Sequence, residues 1–353
     1  MSIRFPLGAT VAFGLAAALA LGATSAAQAQ KKVRWKMASS YAGSLDVIGP
    51  AGMKFADDVT KISGGAFEIK FFEPNALVPP LQVFDATSQG SIDAAYTAAG
   101  FHAGKIPAGV FFSTVPFGPQ TGEYLAWMKF GGGKELHEEI YGQSGVKGFA
   151  GCSINAPEAS GWFRKEIKTT DDLRGLKMRF YGLGAKVMEK FGVSTQLLAP
   201  GDIYPALELG TLDATELSMP SIDVKMGFHN VAKHYYFPGW HQQSSLQEVI
   251  VNKKGYDALA EEHKHLLDVA CDANAAWSFA LAESRQFAAL QEIKAKGVNI
   301  HNWPPEFMKQ LEAKWQEVIA EESAKDPVFK KVHESYAGFR KNYAVWKEVG
   351  YIK

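Results

Sequence analysis

The residues best placed to do chemistry lie in Leu173-Arg174-Gly175-Leu176-Lys177-Met178-Arg179-Phe180 and in Gly210-Thr211-Leu212-Asp213-Ala214-Thr215-Glu216. Arg179 closes a short apolar stretch that reads as a strand and opens into Gly182-Leu183-Gly184. A guanidinium held at a strand end presents a planar fork that matches a carboxylate in two-point contact. Glu216 closes a second short strand. A fixed arginine near a buried glutamate suggests a site for a small organic acid, with or without a metal. A purely structural Arg–Glu ion pair is the alternative reading of the same two residues. The binding account requires Arg179 to face a cleft without being neutralised by a neighbouring protein acid.

Other motifs exclude more than they suggest. Gly131-Gly132-Gly133-Lys134 lacks the Ser/Thr and spacing of a P-loop and reads as a helix-terminating loop. His263-Lys264-His265 sends its imidazoles to different helix faces. His137-Glu138-Glu139 is not a His-Glu-x-x-His zinc motif, and no nucleophile elbow, EF-hand loop or Cys-x-x-Cys pair occurs. The chain is therefore expected not to be an enzyme. Arg4, the apolar run 7–22 and Ala27-Gln28-Ala29 read as a secretory signal peptide, residues 1–29, cleaved after about Ala29. The mature protein is expected to be exported and not inserted in the membrane. Charge balances at 37 Lys+Arg against 37 Asp+Glu, and losing Arg4 leaves 36 against 37. Such a surface offers no general attraction to nucleic acid or anionic lipid. An oxidising compartment permits a bridge between Cys152 and Cys271, but their apolar surroundings suit buried free thiols equally.

The elements that must position Arg179 and Glu216 alternate in type. Residues 33–37, 67–71 and 92–96 read as strands, with helices over 46–62 and 81–88. Strands at 161–164, 177–180 and 211–216 alternate with helices at 185–191 and 203–209. The pattern predicts an α/β fold of two lobes with mostly parallel sheets and a ligand cleft at the carboxyl ends of their strands. Past Lys254 the sequence reads as a long helical region. Its last helix spaces Phe329, Val332, Tyr336, Phe339, Tyr343 and Trp346 by threes and fours, a narrow aromatic stripe for the chain's own core or for a partner subunit. Lobe I is expected over 30–152 plus about 245–285, lobe II over 153–244 plus parts of 286–325, and a C-terminal helix over about 326–353.

With the leader, these segments resemble the solute-binding proteins of tripartite ATP-independent periplasmic (TRAP) transporters, the DctP-type family. The resemblance is carried by Leu176-Lys177-Met178-Arg179 and by Ile203-Tyr204-Pro205-Ala206-Leu207-Glu208-x-Gly210-Thr211-Leu212-Asp213-Ala214-x-Glu216. Gly161-Trp162-Phe163-Arg164-Lys165-Glu166 and Tyr235-Tyr236-Phe237-Pro238-Gly239-Trp240 look closest to the branch that binds 2-oxoacids, hydroxy acids and related acids. The resemblance implies a periplasmic-binding-protein-like clamp in which Arg179 holds the ligand carboxylate. It also implies a bridging cation on Glu158, Glu216 and Leu217, membrane permease subunits as partners, and a homodimer that exchanges the C-terminal helix. An exported metal-dependent lyase or hydrolase, or a ligand sensor for a periplasmic receptor, are the rival functions.

Two departures shape the expected site. Relatives usually carry Gln where this chain has Glu158, so two glutamates and a monocarboxylate against Arg179 sum to −2. Ca²⁺ would neutralise that sum, whereas Na⁺ or another monovalent cation would leave a buried charge; an exposed or protonated Glu158 with no metal is the alternative reading. Gln242 is a candidate to complete the oxygen shell. Gly100-Phe101-His102-Ala103 stands where close relatives carry bulky aromatics, which suggests room for an acid larger or more hydroxylated than pyruvate. His102 reads either as a donor to a ligand hydroxyl or as a satisfied lining residue. Tyr41, Phe101, Trp162 and Trp240 are the expected walls.

Overall fold

The structure, a computed structural model, describes residues 1–2 and 32–352. The expected leader and its cleavage point fall outside the described residues. The strands are β1 (Val33–Ser39), β2 (Phe67–Phe72), β3 (Ala94–Thr97), β4 (Val146–Asn155), β5 (Gly161–Phe163), β6 (Lys177–Arg179), β7 (Ser194–Gln196), β8 (Ala214–Thr215), β9 (His234–Phe237), β10 (Ser245–Asn252) and β11 (Asn299–Asn302). They form two sheets, ordered β2-β1-β3-β10-β4 and β11-β9-β5-β8-β6-β7, which build the two lobes of an α/β clamp.

Local pattern explains the outer elements. In β1, exposed Arg34 and Lys36 alternate with buried Trp35 and Met37, the period of a strand covered on one face. The helix Ile48–Ile62 buries Ala51, Phe55, Ala56 and Val59, and the chain leaves it through Gly64 and Gly65, both at positive φ. The sheets are more mixed than the sequence suggests. β1 pairs parallel with β2 and β3, but β10 runs antiparallel to both β3 and β4. In the second sheet β5 is antiparallel to β8 and β9, while β6 is parallel to β7 and β8. β4 runs into, and β10 out of, a segment that joins the lobes.

Those joining segments lie side by side. The chain leaves the first sheet at Asn155 and enters the second at Gly161; it returns from Phe237 to Ser245. The Glu158 amide donates to the Gln242 carbonyl at 3.1 Å, and the Gly239 amide donates to the Glu158 carbonyl at 2.9 Å. The long helix Glu261–Ala295 is a third link, packing on β4 and the helix Ile48–Ile62 in one lobe and on the helix Pro220–Met226 in the other. Cys152 on β4 and Cys271 on this helix form a disulfide, which decides between the two readings of that pair. Beside it, Asn274 Nδ2 donates to the carbonyls of Cys152, at 2.9 Å, and Ala51, at 3.1 Å.

The C-terminal aromatic stripe divides. Phe329, Val332 and Tyr336 are buried, Phe329 and Tyr336 against Phe111 and Tyr336 also against Trp127, whereas Trp346 and Val349 are 55% and 77% exposed. Among the described residues no helix is long and apolar enough to cross a membrane.

The disulfide closes a loop of 119 residues. Replacing both cysteines by alanine is expected to cost about 2–4 kcal/mol of unfolding free energy, measured by denaturant titration. An unchanged midpoint would mean that the long helix is held on β4 by packing alone.

Candidate functional site

β6 and β8 run parallel with Arg179 in register with Thr215, which brings the Arg179 side chain to Glu216, the residue that follows β8. Arg179 Nη1 donates to Glu216 Oε1 at 2.6 Å and to the Glu216 carbonyl at 2.7 Å, and Nε donates to the Leu198 carbonyl at 3.3 Å. The Tyr181 amide donates to the same Oε1 at 2.6 Å. Arg179 is thus already paired with a protein acid, contrary to the expectation of a guanidinium free for a ligand. The parallel register sets the two residues close enough to pair. Even so, Arg179 still lines a cavity of about 30 Å³ between the lobes, whose walls include Tyr41, Phe101, Glu158, Tyr181 and Leu217.

The electrostatics are unequal. Burial pushes the Glu216 carboxyl upward, but Arg179, His241 and the Tyr181 amide together hold it below the usual carboxylate range. Glu158, on the segment joining the lobes, makes no ion pair with a Lys, Arg or His among the described residues. Burial above all, with Glu216 adding to it, holds its carboxyl well above that range against hydrogen bonds from Ser245 and Asn155.

Glu158 and Leu217 are at the cavity wall, while Glu216 and Gln242 are not among its lining residues but are buried at 0% and 4% exposure. Glu158 Oε2, Glu216 Oε2 and Gln242 Oε1 are buried oxygens with no hydrogen-bond partner. A buried acceptor left unpaired costs about 1–3 kcal/mol, so each of these oxygens is a candidate to take a partner. Oxygen donors alone suit a hard cation such as Ca²⁺ or Na⁺. Among the described residues no group of three or more His, Cys, Asp or Glu stands together to hold a metal ion of any kind.

Three expected wall residues lie elsewhere. His102 sits outside the cavity lining, its Nε2 hydrogen-bonded to Tyr141 Oη at 2.8 Å and its ring stacked on Phe84. Burial lowers its pKa to about 4 despite nearby Glu248, so it is a neutral, satisfied core histidine. Consecutive residues of the 3₁₀ turn Ala99–His102 point different ways, and Phe101 takes the cavity side. Trp162 stacks on Tyr235 inside the second lobe and donates to Asp223 Oδ2 at 2.9 Å. Burial raises that Asp223 carboxyl to about 7, against hydrogen bonds from Trp162 and Tyr235. Trp240 packs between Phe117 and Phe180.

The expectation of a roomier pocket also fails. A Cβ on Gly100 would lie inside the Tyr181 ring, with Cε1 at 2.7 Å, so that ring fills the volume that the glycine leaves. Tyr181 was absent from the sequence-based candidates. Its one signal was its place two residues beyond Arg179, just past the end of β6.

Comparison with known proteins follows this geometry. A profile of the family described as bacterial extracellular solute-binding protein, family 7 (DctP), matches residues 38–326. A monocarboxylate 2-oxoacid-binding periplasmic protein of a Nostoc species is 35% identical over 328 residues, covering 92% of this chain and 89% of that protein. A TRAP transporter solute-binding protein from Bordetella bronchiseptica superposes with a TM-score of 0.88 at 35% identity, over 90% of this chain and 94% of its own. Its crystal structure is a mixed-occupancy dimer with copurified calcium and picolinate in one active site and an apo second site. A TRAP solute-binding protein from Pseudoalteromonas atlantica, with bound sodium and pyruvate, superposes with a TM-score of 0.86 at 32% identity, over 90% and 97%.

The raised Glu158 carboxyl sets a pH dependence. A folded-state value above the unfolded one contributes stability that is full below the unfolded pKa and is lost as pH rises toward the folded value. A cation bound at Glu158 would displace that proton, so Ca²⁺ affinity should rise with pH, by up to about tenfold per pH unit. Glu158→Gln should flatten the slope in calorimetric titrations. An equally steep slope in the variant would remove Glu158 from the cation shell.

Proposed function

The chain belongs to the DctP family, the solute-binding proteins of TRAP transporters, and from that premise we propose that it captures a small organic carboxylate through a bridging cation and delivers it to membrane permease subunits. The observation that carries this reading is the buried arginine at an interlobe cavity with Glu158, whose Oε2 is unpaired, on the same wall. The relatives' 2-oxoacid, pyruvate and picolinate point to a 2-oxoacid, a hydroxy acid or a related planar acid as ligand.

In this reading Arg179 has two tasks. Nη1 keeps Glu216 ionised and oriented, and the rest of the fork receives the ligand carboxylate. Glu158, Glu216, the Leu217 carbonyl and Gln242 hold the cation, which supplies positive charge that the protein itself lacks there. Two glutamates and a ligand carboxylate against one arginine total −2, so Ca²⁺ is favoured over Na⁺. Tyr41 and Phe101 close over the ligand from the first lobe. Closure is selected by the ligand's greater affinity for the closed form, with the paired segments around Glu158 and Gln242 as the hinge.

The remaining parts of the proposal follow the family. The mature chain is released near Ala29 into the periplasm. Lobe I comprises 30–152 plus about 245–285, and lobe II comprises 153–244 plus parts of 286–325. The exposed end of the helix Pro327–Gly350, with Trp346 and Val349, serves a homodimer.

Arg179→Ala would strand a buried carboxylate, and breaking such a pair costs about 3–5 kcal/mol, so that variant confounds binding with folding. Arg179→Lys keeps the charge and loses the fork. A thermal-shift and calorimetric screen of 2-oxo, hydroxy and heteroaromatic acids, with and without calcium, should find an acid that binds more tightly with the metal. Arg179→Lys should then weaken that acid at least about a hundredfold while staying folded. Equal binding by the variant, or no acid bound by the wild type, would overturn the assignment.

A further inference from the structure

We infer that Tyr181 is the latch that holds the clamp shut, and that Gly100 is its keyhole, so that the two together set closure and ligand size. The inference rests on the reading of this cleft as the acid-binding site. Tyr181 follows β6 and belongs to the second lobe, yet its phenol reaches the first. The Gly100 amide donates to Tyr181 Oη at 2.7 Å, and Ser113 Oγ exchanges a hydrogen bond with the same oxygen at 2.8 Å. The ring stands edge-on to Phe101, with centroids 5.2 Å apart and planes at 82°, and is 6% exposed.

The other end of the residue is tied to the site. The Tyr181 amide donates to Glu216 Oε1, the oxygen that also takes Arg179 Nη1. One residue therefore connects the buried ion pair to two groups of the opposite lobe. A shift of Glu216 on cation or ligand binding is felt by the backbone that aims the phenol. Gly100 makes the fit possible, since any side chain there would occupy the ring's place. With the lobes apart the ring would no longer stand against Gly100, so a Cβ there would oppose closure rather than folding. Apparent affinity scales with the fraction of molecules able to close, so the latch acts on binding without touching the carboxylate.

The size consequence follows from the same overlap. The ring that bonds Gly100 is also a wall of the 30 Å³ cavity, so the latched state admits only a ligand of few heavy atoms beside Arg179. Shortening Tyr181 trades closure for room.

Three variants test this, read by calorimetry with the best acid of the screen and by distance distributions between spin labels on the two lobes. Tyr181→Phe keeps the wall and loses the phenol bonds, and should weaken binding about tenfold while shifting the distances toward open. Gly100→Ala should weaken binding by about a hundredfold or more and block the fully closed distance, while the protein remains folded. Gly100→Ala/Tyr181→Ala should bind better than Gly100→Ala alone and accept a bulkier acid. The latch is overturned if Gly100→Ala closes and binds as the wild type does, or if the double variant shows no recovery. If the wild type binds no acid, the proposed function fails instead; the ligand-free distances of Tyr181→Phe against wild type still decide the latch, unchanged distances overturning it.

Discussion

The rest of the structure depends on the buried ion pair between Arg179 and Glu216. Removing two charges from water costs several kcal/mol for each ion, and their mutual attraction offsets this only when further hydrogen bonds complete the geometry. Here the carboxylate takes the Arg179 terminal nitrogen and the Tyr181 amide on one oxygen, and the guanidinium adds the Glu216 and Leu198 carbonyls. The second oxygen is left unpaired, with His241 Nε2 at 3.6 Å. A pair finished on one side and open on the other stabilises the fold modestly and leaves a charged edge for a guest.

Glu158 turns that edge into a demand. It is buried a short way from Glu216 with no positive partner, so the ligand-free site favours its neutral form. In the proposed function an incoming cation removes the reason for that protonation, and the ligand carboxylate then meets a site whose sign suits it. Because Glu158 and Gln242 stand on the two segments that join the lobes, the group that answers the charge also ties the hinge. The long helix, tied to the first lobe by its disulfide, also packs on the second lobe's helix Pro220–Met226 and so spans both lobes beside those segments.

Several features were legible before any coordinates. Arg179 and Glu216 stood out because strand ends followed by glycine or closed by an acid are local patterns. The outer strands and the helix Ile48–Ile62 were legible for the same reason: each buries one face, and a single face imprints a period on the sequence. β4 and β10 left little trace. β10 is buried along nearly its whole length, and glycines interrupt β4, so neither shows clean alternation. His102, Trp162 and Trp240 were misplaced as walls because residue type does not reveal which way a turn or a crossing strand aims a side chain.

By itself, the sequence determined the α/β character, the family and the acid-plus-arginine chemistry, since all of these reside in short contiguous segments whose spacing obeys backbone geometry. Only the tertiary structure decided that Arg179 is already paired, that Cys152 meets Cys271, and that Tyr181 occupies the volume beside Gly100. Each of these is a contact between segments distant in the chain, set by how the sheets and helices pack around one another. No local period encodes such a distance.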